Sequence, residues 1–120
     1  MQPLSNTTEA LTQLLDATAG QHQVITQNIA NVNTPGFRTL RLSFPEVFRE
    51  SDGSPGELMA RSADSRNLSE EAGLSERPDG NNVSMERELG LLGKNALLHR
   101  TFSEMLSVEF DAYRRAIQLR

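Results

Sequence analysis

The chain has 120 residues, 37% hydrophobic and 23% charged, with 12 Lys and Arg against 16 Asp and Glu and a net charge of −4. This is enough for one domain, and the acidic balance argues against a nucleic-acid surface. No Cys is present, which excludes disulfides and thiolate metal sites.

No apolar run approaches the length of a membrane span, and direct lipid binding is not expected. The N-terminus has no basic patch followed by an apolar core, so no secretory signal of the usual kind is expected. Aromatics are only 5%, with no Trp and one Tyr. A chain this small with so few large apolar side chains has a thin core. Either it is marginally stable alone or neighbours complete it.

Residues 1–37 carry only two charged side chains, Glu9 and Asp16, among many Gln, Asn and Thr. Solvated helix faces usually carry Lys, Glu and Arg. Uncharged amides and hydroxyls are buried at lower cost when they find partners, and interface cores are likewise depleted in charge. The pattern predicts a helix surrounded by protein. The plainer alternative is a polar helix that happens to lack charge.

The spacing predicts that helix over residues 8–32. Leu11, Leu15, Thr18, His22, Ile25, Ile29 and Val32 lie alternately four and three apart, a heptad seam. Gly20 weakens the helix by about 1 kcal/mol relative to Ala, and Pro35 stops it. Thr34-Pro35-Gly36-Phe37 fits a type II turn, with Gly where φ must be positive. Asn28 and Asn31 can bond backbone groups left open at the helix end, and Phe37 can fold back as an apolar anchor.

Residues 51–82 read as loop, rich in Gly and Pro and without sustained period. Phe44–Phe48 could form one helical turn. A second helix is predicted over 85–119. Met85, Leu89, Leu92, Ala96, His99, Ser103, Leu106, Phe110, Tyr113 and Ile117 continue the four-three alternation, and Leu91, Leu98, Phe102, Met105, Ala112, Ala116 and Leu119 form an adjacent row. Two rows give a wide apolar face able to touch more than one helix. Ser84 is a good N-cap, followed by Glu86 and Glu88, where the helix dipole favours acids. Gly90 and Gly93 suit close approach of a neighbouring helix.

The expected fold is all-α, an antiparallel, coiled-coil-like pair of long N- and C-terminal helices joined by an irregular middle segment. The divisions are 1–37, 38–82 and 83–120 within a single domain. At 1.5 Å per residue the second helix, about 50 Å long, overhangs the first. Its apolar face then lacks a partner within the chain. Candidate packing and interface residues are Leu11, Leu15, Ile25, Val32, Leu89, Leu92, Phe102, Leu106, Phe110, Tyr113 and Ile117. His22 and His99 lack further metal-ligand partners at known spacing. The scattered carboxylates lack a shaped pocket, and no phosphate-binding glycine loop exists. No catalytic, metal or cofactor site is expected, and the chain is not read as an enzyme.

Asn28-Ile29-Ala30-Asn31-Val32-Asn33-Thr34-Pro35-Gly36-Phe37 resembles the N-terminal signature of bacterial flagellar axial proteins, the rod and hook group. Asp79-Gly80-Asn81-Asn82-Val83-Ser84-Met85-Glu86-Arg87-Glu88-Leu89 resembles the entry to the C-terminal helix in the proximal-rod, FlgB-type branch. The helix from Gly93 to Ile117 is also similar. The resemblance covers about residues 8–50 and 79–119.

It implies a structural subunit that reaches the cell envelope through the flagellar type III export system and polymerises into the periplasmic rod through its terminal helices. The implied partners are other proximal-rod subunits, further copies of itself, the rod-to-membrane-ring adaptor, the membrane ring and the export gate. Alone, the termini are expected to be largely disordered, with folding coupled to docking. Another axial subunit, and a soluble coiled-coil adaptor or export chaperone, remain as alternatives.

Overall fold

The computed structural model describes residues 6–42 and 68–119. The helical turn expected at Phe44–Phe48, and any order in residues 51–67, lie outside the described residues. Helix α1 spans Asn6–Ala30 and strand β1 spans Leu40–Leu42. Strand β2 spans Leu68–Glu70 and helix α2 spans Met85–Gln118. The architecture is the expected all-α pair of long helices, with one addition. β1 and β2 pair antiparallel, Leu40 opposite Glu70 and Leu42 opposite Leu68. Three-residue strands carry too little alternation to stand out in a sequence.

α1 and α2 run antiparallel. Asn28 meets Glu88 near one end, Thr18 meets His99 midway, and Thr7 shares a hollow with Glu109 near the other. α2 therefore continues past the described part of α1, carrying Ile117 and Leu119 into solvent.

The core is small and sits mostly on α1. Its apolar members are Leu11, Ala17, Val24, Ile25, Leu42 and Val83. Gly20, a weakness when read as helix, has a packing reason. A Cβ there would sit 3.2 Å from Leu42 Cδ2, so the glycine lets β1 lie close on the helix.

The seam of α2 differs from the one the spacing predicted. The buried residues of this 34-residue helix are Glu88 and Asn95, both polar. The face towards α1 continues through His99, which bonds Thr18, and through the half-buried Phe102 and Leu106. Leu89, placed on the seam by spacing, is exposed instead. His99 and Leu106 lie on the stripe that apolar spacing marked, while the hydrogen-bonded Glu88 and Asn95, with Phe102, lie one residue before its other members and turn the helix slightly to that side.

Candidate functional site: a polar clasp and an open helix face

At one end of the molecule the chain termini of four elements meet in a cluster of amides and charges. α1 ends at Ala30, and turn residues 31–33 lead to Thr34 and Pro35. Phe37 N–H donates to Thr34 O at 3.2 Å and Gly36 has φ 74°, the geometry of a type II turn. Gly80, with φ 85°, lies back to back with it, since a Cβ on Gly80 would sit 3.4 Å from Gly36 Cα. Gly36 N–H donates to Asp79 O at 2.9 Å. The two tight turns thus hold each other.

The open carbonyls at the end of α1 are closed from across the chain. Asn81 Nδ2 donates to the carbonyls of Asn31, Val32 and Thr34 at 2.9, 3.1 and 2.8 Å. Its Oδ1 accepts from Val83 N–H at 2.8 Å. Arg77 adds bonds to the carbonyls of Val32 and of Val83, the latter at 2.7 Å. Asn31, read as a local cap, does bond its own helix, donating to Gln27 O at 2.8 Å, and it accepts from the Thr34 hydroxyl.

Asn28 acts as a substitute strand residue. Its Nδ2 donates to Leu40 O at 2.9 Å, and Leu40 N–H donates back to its Oδ1 at 3.0 Å. Asn82 Oδ1 accepts from both Thr39 N–H and Thr39 Oγ1, at 2.7 and 2.9 Å. Asn28, Thr39, Asn81 and Asn82 are all buried. Buried amides are tolerated when bonded in this way, although Asn82 Nδ2 has no hydrogen-bond partner among the described residues.

Glu88 is the centre of the charges. Its side chain is 1% exposed. Arg41 grips it with two nitrogens, at 2.5 and 3.1 Å, and Asn28 Nδ2 donates to it at 3.2 Å. The remaining Arg41 nitrogen reaches Glu71 at 2.8 Å. Arg87 pairs with Glu71 through both its terminal nitrogens. The hydrogen bond from Arg87, with the charge of Arg41 behind it, holds the Glu71 carboxyl below its ordinary range, and burial opposes this less strongly. Glu71 in turn raises Arg87. Ser84 is the N-cap of α2, accepting from Arg87 N–H at 3.4 Å.

Sequence reasoning placed Glu88 at the helix start for its dipole and missed its burial, and it assigned no role to Arg41, Glu71, Arg77, Asn81 or Asn82. A signal was there. Asn81 and Asn82 sit just before the cap of α2, and a pair of amides between a Gly turn and a helix needs partners when the helix docks.

The rest of the helix pair has the opposite character. Ile25 and Leu11 are buried and Leu15, Ile29, Val32 and Phe37 half-buried. On α2, Leu92, Phe102 and Leu106 are half-buried, while Leu89, Phe110, Tyr113 and Ile117 are exposed. Among the described residues no group of three or more His, Asp or Glu is placed to hold a metal. Nor is any helix there long and apolar enough to cross a membrane.

Residues 5–38 match the family described as Flagella basal body rod protein, which places the Asn-rich helix end and the Pro-Gly turn inside the matched stretch. The flagellar basal body rod protein FlgB of Bacillus subtilis (strain 168) is 24% identical over 128 aligned positions, covering 98% of this chain and 97% of that protein. Along nearly its whole length the chain is thus similar to a flagellar basal-body rod protein of the FlgB type. The protein of the same name from Aeromonas hydrophila is 26% identical over 106 positions, covering 80% of each chain. Both alignments extend well beyond the N-terminal match. The polar clasp lies at the joint between the two helices, and the open face lies along the C-terminal helix.

Proposed function

We propose that this chain is a structural subunit of the proximal part of the flagellar rod, and that its function is association through the terminal helices. The observation that carries this reading is the state of α2. Leu97, Val108 and Ile117 are 65%, 69% and 70% exposed, on a helix whose two buried side chains are both polar. A contiguous apolar surface left in water marks an interaction site. Its burial between subunits supplies association free energy, at about 25 cal/mol per Å2 before ordering costs.

Residues 1–37 and 83–120 are the packing arms, and 38–82 is the connector between them. Gly90 and Gly93 support the same reading. Among the described residues no heavy atom of a neighbouring element comes within 4 Å of a Cβ built at either, so the close approach they permit is open to another chain. The partners are neighbouring proximal-rod subunits and further copies of this chain. At the base of the rod they are the adaptor to the membrane ring, the ring and the export gate. The subunit works in the basal body within the cell envelope and is delivered by flagellar type III export. The role is structural and involves no catalysis. A non-closing helical array needs each subunit to present two different surfaces, and α2 has unpartnered apolar side chains on more than one side.

The test is Phe110→Asp in the full chain, in a flagellated host that depends on it. Phe110 is 46% exposed, so the free subunit should change in stability by no more than about 0.5 kcal/mol. Incorporation into basal bodies and swimming should be lost, because the interface would bury an unpaired charge. Normal swimming would contradict the reading.

A further inference from the structure

Arg77-Pro78-Asp79-Gly80 closes the clasp with a tight turn. Gly80 N–H donates to Arg77 O at 2.9 Å, and Arg77 N–H donates to Asn81 O at 2.9 Å. No non-Gly residue among the described ones has positive φ, which excludes a type II turn with Asp79 as its third residue. The turn is therefore type I, with Pro at its second position, and Gly80 follows Asp79 at φ 85°.

Asp-Gly is a step at which a backbone nitrogen readily attacks the preceding carboxyl, because glycine has no side chain to hinder the approach or restrict the backbone. The Gly80 nitrogen bonds to Asp79 Cγ. One carboxylate oxygen leaves as water, taking the amide hydrogen and a proton from solvent. Water then opens the resulting succinimide ring. Opening at the former main-chain carbonyl leaves the chain running through the side-chain carboxyl as isoaspartate, with no net change in mass.

Asp79 is exposed, so burial does not prevent this reaction. Geometry does. Asp79 Oδ1 accepts from Asn81 N–H at 3.0 Å, an Asx-turn bond that aims the carboxyl past the Gly80 nitrogen. Gly80 N–H is committed to Arg77 O, and its carbonyl accepts from Arg38 at 3.2 Å. The Asp79 carbonyl accepts from Gly36 N–H at 2.9 Å. A type I turn keeps ψ of its third residue at about 0°. Ring closure needs Cβ turned into eclipse with the next nitrogen, a rotation that breaks the Arg77 and Gly36 bonds.

We propose that Asp79–Gly80 is a site of isoaspartate formation that the closed clasp suppresses, and that a chain isomerised there no longer closes the clasp. The isoaspartyl link lengthens the main chain by an atom between Asp79 Cα and Gly80. The joint has no slack for it, since a Cβ on Gly80 would already sit 3.4 Å from Gly36 Cα. The modification accumulates while the chain is open and stops when it folds. The proposal rests on the clasp and is independent of the rod reading.

Full-length chain is aged at neutral pH in buffer and in urea. Isoaspartate is located by chromatography and electron-transfer fragmentation of peptides covering Asp79. Asp52–Gly53, the other Asp-Gly step of the sequence, gives the rate of the unrestrained chemistry in urea. Isomerisation at Asp79 should be slower in buffer than in urea by about tenfold or more, because it waits for local opening. Glu88→Ala opens the clasp from a position outside the turn, and should speed the reaction in buffer while leaving its rate in urea unchanged. When urea is removed from an aged sample, unmodified chains should regain amide protection at residues 81–88 and isomerised chains should not. Equal rates in buffer and urea would overturn the proposal. So would a Glu88→Ala rate in buffer no faster than wild type, or isomerised chains that regain the same protection.

Discussion

The clasp end and the far end of this molecule solve burial in opposite ways. At the clasp, residues 28–42 and 77–88 bury amides, a carboxylate and a guanidinium, nearly all bonded within the chain. Along α2 from Leu97 onward, apolar side chains remain in water. The difference teaches that the free subunit takes its folded specificity from polar groups at one end. It keeps its apolar surface for association at the other. Polar groups fix partners by geometry, whereas apolar stripes accept any complementary surface.

The sharpest way to break this contrast is to remove the carboxylate at the centre of the clasp. Glu88→Ala leaves Arg41 without its main partner, at 17% side-chain exposure, and should lower stability by about 3 kcal/mol in urea denaturation. A loss under 0.5 kcal/mol would mean the charges are incidental. Asn81→Ala comes next. It removes one bond from each of three carbonyls and the side-chain bond of Val83 N–H and should cost about 2 kcal/mol. Circular dichroism melts would show whether both helices loosen together, as a shared joint requires.

Smaller effects sharpen the picture. Ser84→Ala should cost about 0.5 kcal/mol, at the low end for an N-cap, because its bond to Arg87 N–H is long at 3.4 Å. The mildest probe is pH. Glu71 has its folded pKa below the ordinary 4.5, so its contribution is present above the unfolded value and is lost as pH falls through the folded one. Wild-type stability should therefore decline more steeply below about pH 4 than that of Glu71→Gln. Parallel curves would remove Glu71 from the account.

The sequence made both helices legible because apolar spacing persists over many turns, and it made Ser84 and the Thr34–Phe37 turn legible because caps and φ-positive glycines are local chemistry. The inward stripe of α2 was not legible. Its anchors, Glu88 and Asn95, look solvent-facing by composition and are buried because Arg41, Asn28 and the Thr18 carbonyl lie elsewhere in the chain. The strands were hidden for a similar reason. Leu40 takes its bonds from an Asn side chain twelve residues earlier, a pairing no local period reports.

The measurement that tests the central claim most directly is amide hydrogen exchange of the full-length subunit, free and within isolated rods. The account predicts slow exchange at residues 28–31, 39–41 and 81–88 in both states. Residues 97–118 should exchange fast in the free subunit and at least a hundredfold more slowly in the rod. Strong protection of 97–118 in the free monomer, unchanged on incorporation, would contradict it.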